Sequence, residues 1–335
     1  METKRSSGVA ARSLAIVLGL VAIGLVALAV LNVGGLRLPL GALALVLLGL
    51  AAVLLLQPNL RAILRVAGAT FFEARRRRFM NVVLIFAVIL IGLSSFFATL
   101  SPSAELNMLL DVGLGSIRLC GMLIAVFLGS RLIADEVDKK TVDVILAKPV
   151  RRSEFVIGKF LGAWITVASF LVVMGVAFFV VFHLKAPQLV AKAQAVGLSL
   201  SLQETSANVL KATLLILFEM MLLSSIAITV STVASWIFSA VLSLTMYFAG
   251  QLASYFHHMA TFNDPHVQIV NPVLKTFSWV MYRLIPHFEH FDIREKILTH
   301  DPVYWEMVGM TAGHGVLYSL VLVALACVFF SYREF

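Results

Sequence analysis

Eight apolar runs, each close to twenty residues long, dominate this chain of 335 residues and limit what it can fold into. A helix of that length crosses the hydrocarbon core of a bilayer, where only a helix or a closed barrel satisfies every backbone hydrogen bond. Since 60% of the residues are hydrophobic and 13% are charged, a water-soluble globular domain is excluded. The sequence therefore predicts an all-α polytopic membrane protein with about eight transmembrane helices. The runs lie near 14–31, 38–56, 79–100, 114–134, 160–182, 211–232, 236–256 and 308–330.

The basic residues predict how these spans are oriented. Of the 26 Lys and Arg residues, seventeen lie in segments on the N-terminal side of the membrane and eight on the other side, while Arg118 falls inside a span. Lys and Arg accumulate in cytoplasmic segments, so we expect both termini in the cytoplasm. The formal net charge of +8 is explained by these clusters, and because no nucleic-acid-binding motif accompanies it we expect no nucleic-acid partner.

Two regions are predicted along the chain. Residues 1–57 hold the first two runs, which we interpret as a retained transmembrane hairpin, because the first run is longer than a signal-peptide core and lacks a convincing cleavage site. Residues 58–335 hold the other six spans. They begin with an amphipathic helix near 58–78, predicted to lie in the cytoplasmic interface on one apolar stripe formed by Leu60, Ile63, Leu64, Ala67 and Phe71.

The segment 131–159 is a long charged interruption between two spans. Its apolar residues recur at helical spacing, and Asp135, Glu136 and their charged neighbours predict a solvated face. Pro149 is expected to end this helix, and Ser153 is placed to cap the next one, with Glu154 in its first turn. We interpret the segment as the place where a membrane protein meets a soluble partner.

Two long loops are predicted on the outer side. The first, 183–210, is expected to form a short surface helix. The second, 257–306, combines four prolines with many aromatic residues, which is typical of short helices at the membrane interface. His287 and His290 have a spacing that can place two imidazoles on one face of a helix, so a metal site is conceivable there. Histidines at the interface without a metal are the favoured interpretation, and no metal site is predicted.

Two charged residues lie inside predicted spans, Arg118 in the fourth and Glu219 in the sixth. An ionised side chain in the membrane is costly unless it is paired, which makes each residue a candidate for substrate contact or gating. The alternative is a structural ion pair, or a protonated acid that is hydrogen-bonded to a neighbour.

Small residues four positions apart predict close helix packing, at Gly158 with Gly162 and at Ser235, Ser239 and Ser243. No catalytic motif is present, and the GxxxxGK[ST] phosphate loop is missing, so neither an enzyme nor a cofactor site is predicted in this chain.

The charged segment resembles the coupling loop of ABC-2 type permeases, the membrane subunits of one class of ATP-driven exporter. The family has a Gly where this chain has Lys140. The resemblance covers about 58–335 and includes Leu284, Ile285 and Pro286 in the long last outer loop and Arg333, Glu334 and Phe335 after the final span. The residues of the loop that match the family pattern are Glu136, Thr141, Ile145, Leu146, Pro149, Arg152, Gly158 and Lys159.

This resemblance implies a permease subunit in the inner membrane of a prokaryotic cell. Its partners would be two copies of an ATPase subunit that bind the ATP, a second permease copy or a related permease, and membrane lipids. The alternative that the resemblance leaves open is an ATPase-coupled mechanical or assembly device that acts on a periplasmic partner, as in metalloenzyme maturation. The implied ATPase-coupling residues are Asp135, Glu136, Thr141, Ile145, Leu146, Pro149 and Arg152.

Overall fold

The structure of the protein is a computed structural model that describes residues 60–99, 105–138, 151–195, 202–256, 272–299 and 301–332. These residues contain helices and no strand, so the prediction of an all-α membrane protein is confirmed. The predicted hairpin at 1–57 lies outside the described residues. In chain order the helices are α1 Leu60–Arg75, α2 Arg78–Thr99, α3 Glu105–Asp138, α4 Arg152–Ala195, α5 Leu202–Ser231, α6 Trp236–Gln251, α7 Pro272–Leu284, the 3₁₀ helix η1 Phe288–Phe291, α8 Arg294–Leu298 and α9 Trp305–Tyr332.

The long helices alternate in direction, which gives the bundle two ends. At one end, here called the basic end, Arg77 contacts Asp135 and Arg131 lies over the ring of Trp236. At the opposite end, Lys211 lies close to the ring of Trp305. Helices α3 and α5 pack against each other at the centre, and α2, α4, α6 and α9 surround them.

Five of these helices are long and apolar enough to cross a membrane, namely α2, α3, α4, α5 and α9. The one other span predicted for this part of the chain, 236–256, is interrupted. Helix α6 ends at Gln251, and after a turn at Leu252 one further helical turn follows at 253–256. Its 16 residues fall short of the roughly 20 that a bilayer requires.

Helix α1 confirms the predicted amphipathic helix, but its predicted stripe is divided between two environments. Ile63 and Ala67 are buried against α4, whereas Leu60 and Leu64 are exposed at 65% and 57%. The buried face consists mainly of small side chains, because α1 lies close to α4 at the glycines of α4. The buried residues of α1 are Ala62, Ile63, Ala67, Thr70 and Ala74.

The glycines of α4 are the contact points for α1, which confirms the close helix packing predicted at Gly158 and Gly162; the sequence did not identify α1 as the partner. A β-carbon on Gly158 would lie 2.7 Å from Cβ of Val66, and one on Gly162 would lie 2.6 Å from Cβ of Thr70. Real β-carbons do not approach so closely, so only glycine fits at either position. In the serine stripe, Ser239 lies in α6 and donates a hydrogen bond to the carbonyl of Ala227 in α5 at 2.7 Å, which confirms packing at that residue too.

The predicted outer loop at 183–210 is helical in its described residues, but as extensions of the two long helices and not as a separate short surface helix. Helix α4 continues to Ala195, with Pro187 inside it, and α5 already begins at Leu202. The apolar run ends near 182, but extending an existing helix avoids the cost of nucleating a new one, so the helix outlasts the run.

The second outer loop forms the predicted short helices, and the last of them pack onto the bundle. Helix α7, η1 and α8 lie between Pro272 and Leu298, and residues 257–271 lie outside the described residues. Phe288 and Phe291 are fully buried, and η1 contacts α5, α6 and α9. We call residues 285–299, which include η1 and α8, the outer segment.

Candidate functional site

Only part of the predicted coupling site can be placed. Asp135 and Glu136 lie in the last turns of α3, and Arg152 is the first residue of α4. The start of α4 differs slightly from the prediction, because Glu154 accepts a hydrogen bond at 3.0 Å from the backbone N–H of Arg151, so the cap lies earlier than Ser153. The other predicted coupling residues lie outside the described residues, as does Lys140. They are Thr141, Ile145, Leu146 and Pro149.

The periodicity indicated a solvated face for Asp135 and Glu136. In the structure each of them is instead held in an ion pair. Arg77 donates to Asp135 at 3.2 Å and to Glu73 at 2.9 Å. Lys159, which is buried, forms an ion pair with Glu136 and lies 3.8 Å from Glu73. Because charged groups that leave water need partners, this cluster fixes the two helix ends on either side of residues 139–150 onto α1 and the turn after it.

Arg152, the third of the described coupling residues, contacts the last helix of the bundle and not the ion-pair cluster. Its guanidinium donates a hydrogen bond at 3.0 Å to the backbone carbonyl of Ser331, near the end of α9. One turn further along α4, the ring of Phe155 stacks on that of Phe330, with 5.5 Å between centroids. The start of α4 is therefore attached to the last helix of the chain.

The two charged residues predicted inside the spans form a buried ion pair. Nε of Arg118 lies 3.0 Å from each carboxylate oxygen of Glu219, and Nη2 lies 2.7 Å from one of them. Gln251 at the end of α6 donates to the same carboxylate at 2.9 Å. Glu219 is fully buried, and these bonds satisfy it with groups from α3 and α6.

The outer segment extends this pair into a chain of charges. Arg118 forms a second ion pair with Asp292, which lies between η1 and α8. Arg294 donates to Asp292 at 2.8 Å and to Asp111 of α3 at 3.0 Å. Five charged residues thus run from the middle of α5 to the surface of the outer segment, and we call them the charge chain: Asp111, Arg294, Asp292, Arg118 and Glu219.

In the outer part of the charge chain, the neighbouring cations and hydrogen bonds favour the ionised form of Asp292. Burial alone raises the pKa of Asp292, but hydrogen bonds from Arg294 and the charge of Arg118 outweigh burial and lower that pKa to about 2. Asp292 therefore stays ionised at any physiological pH. Two cations alternate with three anions, an arrangement that joins helices strongly while it stays intact and is costly to break at one point.

The histidines of the outer segment do not form a metal site in the described residues. Nε2 of His287 lies 2.9 Å from the carbonyl oxygen of Tyr282, and the rings of His287 and His290 are 5.4 Å apart. Among the residues that the structure describes, no three His, Cys, Asp or Glu side chains are grouped so that they could hold a metal ion.

Sequence reasoning missed the partners that complete these clusters. A charge inside an apolar run identifies Arg118 and Glu219, but Asp292 and Arg294 stand in a polar loop where charged residues are common. Arg77 and Lys159 were visible only as members of a basic run and of a motif. The many aromatic residues of the predicted loop 257–306 are the one feature of the sequence that indicated burial of 285–299.

Comparison with known proteins covers the larger part of the bundle. Residues 114–335, about two thirds of the chain, match the family described as ABC-2 family transporter protein. The match begins inside α3 and includes four of the five residues of the charge chain. No curated protein matches the chain.

Proposed function

Since the chain belongs to the ABC-2 family of transporter proteins, and is thus a multi-pass membrane subunit of an ABC transporter that works with a separate ABC ATPase, we propose that it is an exporter permease. ATP hydrolysis by two copies of the ATPase would move the spans of this chain and of a second permease copy, or of a related permease, around a shared pathway. The basic end would face the cytoplasm of a prokaryotic cell, with both termini on that side and residues 1–57 inserted as a hairpin.

The observation that carries this proposal is the ion-pair cluster that flanks the loop 139–150. Glu136 and Lys159 join the end of α3 to the start of α4, and Arg77 joins α3 to the turn after α1. A force applied to the loop would therefore act on three helices at once. Such a connection is what a partner enzyme needs in order to shift a bundle between two arrangements.

We expect charge reversal in this region to release the ATPase. Glu136→Lys combined with Leu146→Arg replaces an ion-pair partner and an apolar contact of the loop with cations. Co-purification from membranes in mild detergent should then recover about tenfold less ATPase per permease, because the flank of the proposed contact loses its ion pair with Lys159 and an apolar residue of the proposed contact becomes charged.

Glu295→Lys is the control for Glu136→Lys, because it makes the same Glu-to-Lys change at the opposite end of the bundle, where Glu295 is exposed. Gel filtration of each variant establishes that it is folded. Unchanged recovery of the ATPase with the double variant would contradict the assignment of this loop as the ATPase contact.

A second candidate is a device that acts mechanically on a periplasmic partner. The charge chain supports this second function, because Arg118 joins a span directly to the outer segment. Movement of α3 would then displace residues 285–299 at the outer surface. Copurification of a periplasmic protein that is lost on deleting the negative charge of Asp292, with ATPase recovery unchanged, would support this function over export.

A further inference from the structure

A cavity of about 570 Å³ lies at the basic end, between the end of α1, the start of α2 and the last turns of α3. Cavities of this size accommodate small molecules or the polar part of larger ones. Four arginines and two acids supply its charged lining, which leaves a net charge of +2 when all are ionised. These residues are Arg76, Arg77, Arg78, Arg131, Glu73 and Asp135.

The acids of the cavity neutralise only one of its arginines. Arg77 takes both of them, Glu73 at 2.9 Å and Asp135 at 3.2 Å. In the part of the chain that the structure describes, Arg76, Arg78 and Arg131 form no ion pair. Nε of Arg131 is also buried without a hydrogen-bond partner, while the guanidinium lies 4.2 Å from the ring centre of Trp236. The cavity therefore presents guanidinium donors that lack an anion.

The same cavity has an apolar side that continues along α2. The rings of Phe79 and Phe127, 4.7 Å apart, line it together with Met80. From Phe79 onward, one face of α2 carries exposed apolar side chains at helical spacing, and α2 is the least buried of the five candidate spans. The exposed residues of this face are Val82, Ile85, Phe86, Ile89, Leu93 and Phe96.

We propose that this cavity binds the phosphate headgroup of an anionic phospholipid, with its acyl chains lying along α2. Guanidinium groups are well suited to phosphate because their N–H donors match its oxygens. The position also agrees, since the arginines stand at the end of an apolar span, at the depth where headgroups lie. This site does not depend on the proposed coupling to an ATPase.

Native mass spectrometry of the full chain in mild detergent tests the proposal. Phosphatidylglycerol and phosphatidylcholine with the same acyl chains are titrated, and we expect phosphatidylglycerol to bind about tenfold more tightly. Arg76→Gln with Arg78→Gln should lower the affinity for phosphatidylglycerol by about tenfold and leave that for phosphatidylcholine unchanged. Both arginines are exposed, so their loss leaves the packing of the bundle intact.

Arg61→Gln with Arg65→Gln is the matched control, because these exposed arginines lie on α1 at the same end but do not line the cavity. An equal loss of phosphatidylglycerol in this control would overturn the site in favour of diffuse surface charge. Equal binding of both lipids by the unmodified chain would also overturn it. Displacement of the lipid by inorganic phosphate at equal concentration would do the same, because it identifies a soluble phosphate site. So would a shift from dimer to monomer in the cavity variant, because it identifies a second copy as the occupant.

Discussion

At the scale of single residues, the buried pair of Arg118 and Glu219 was predictable as a pair but not as part of a chain. A charge inside an apolar run is rare because it is costly, so the sequence identifies both residues and makes them each other's partners. Asp292 and Arg294 could not be found in this way. They belong to the predicted loop, and their contacts with Arg118 and Asp111 of α3 join positions 174 and 183 residues apart, which leave no periodic trace in the sequence.

We expect loss of one partner to be far more damaging than loss of both. Arg118→Met leaves the buried carboxylate of Glu219 without its cationic partner and with neutral donors such as Gln251, and should lower the free energy of unfolding by about 3–5 kcal/mol. Arg118→Met with Glu219→Leu removes both charges and should recover most of that loss. Thermal unfolding of the purified variants in mild detergent measures both effects.

The same pair of variants separates a structural role from a functional one. If the pair only holds α3 to α5, the double variant recovers transport along with stability. If the charges contact substrate or gate the pathway, the double variant is stable but inactive. Equal stability of Arg118→Met and the unmodified chain would contradict the ion pair itself.

At the scale of helices, the spans could be predicted but several of their ends could not. Hydropathy identifies the run that must cross the bilayer, whereas a helix continues wherever the backbone can keep its hydrogen bonds, as α4 does up to Ala195. The face of α1 was predicted incompletely for a related reason. Its amphipathic pattern is visible in the sequence, but the partner that buries Ala62 and Thr70 is α4, which the pattern alone does not reveal.

The contact between α1 and α4 predicts which glycines tolerate a side chain. Gly162→Ala would place a β-carbon 2.7 Å from the carbonyl oxygen of Ala67, so α1 has to shift, and we expect a loss of about 1–3 kcal/mol. The control is Gly92→Ala in α2, where no atom lies within 4 Å of the new β-carbon. That change should be neutral or slightly stabilising, because alanine favours a helix by up to about 1 kcal/mol over glycine. Thermal unfolding in detergent again provides the measurement, and equal effects of the two changes would argue against close packing of α1.

At the scale of the whole molecule, the basic residues and the apolar runs predicted a bundle with two chemically different ends, and the bundle has them. What they could not predict is that the outer segment is part of the bundle. The four prolines of the predicted loop 257–306 indicated short helices at the interface, yet Phe288, Phe291 and Ile293 are buried among the spans. Burial of those side chains and the charge chain together attach this segment to α3 and α5.

We expect Asp292 to control how firmly that attachment holds. Asp292→Asn removes the negative charge and one of the two acceptor oxygens that join Arg118 to Arg294, and hydrogen exchange of residues 285–299 should become about tenfold faster, which corresponds to the loss of a charged hydrogen bond. Glu295→Gln is the control, since Glu295 is exposed on α8. Identical exchange in both variants would show that packing of the phenylalanines alone holds the segment.

The same carboxylate predicts how the attachment responds to pH. A carboxylate with a lowered pKa contributes stability that is present above its ordinary value of 3.8 and is lost as the pH falls toward about 2. The contribution of Asp292 should therefore be the same at pH 5 and pH 8, and the difference in exchange between Asp292→Asn and the unmodified chain, corrected for the intrinsic rate, measures it.

The close fit of α1 on α4 also has a consequence for synthesis of the chain. Gly158 follows Val66 by 92 positions, so α1 emerges and reaches the membrane surface well before its binding surface exists. The Arg-rich turn at 75–78 and the span of α2 have to reach their positions in the membrane before α4, the helix that α1 binds, has been synthesised. Docking of α1 therefore becomes possible only when the third long helix after it has been made, which makes this contact a marker that the first half of the bundle has been completed in order.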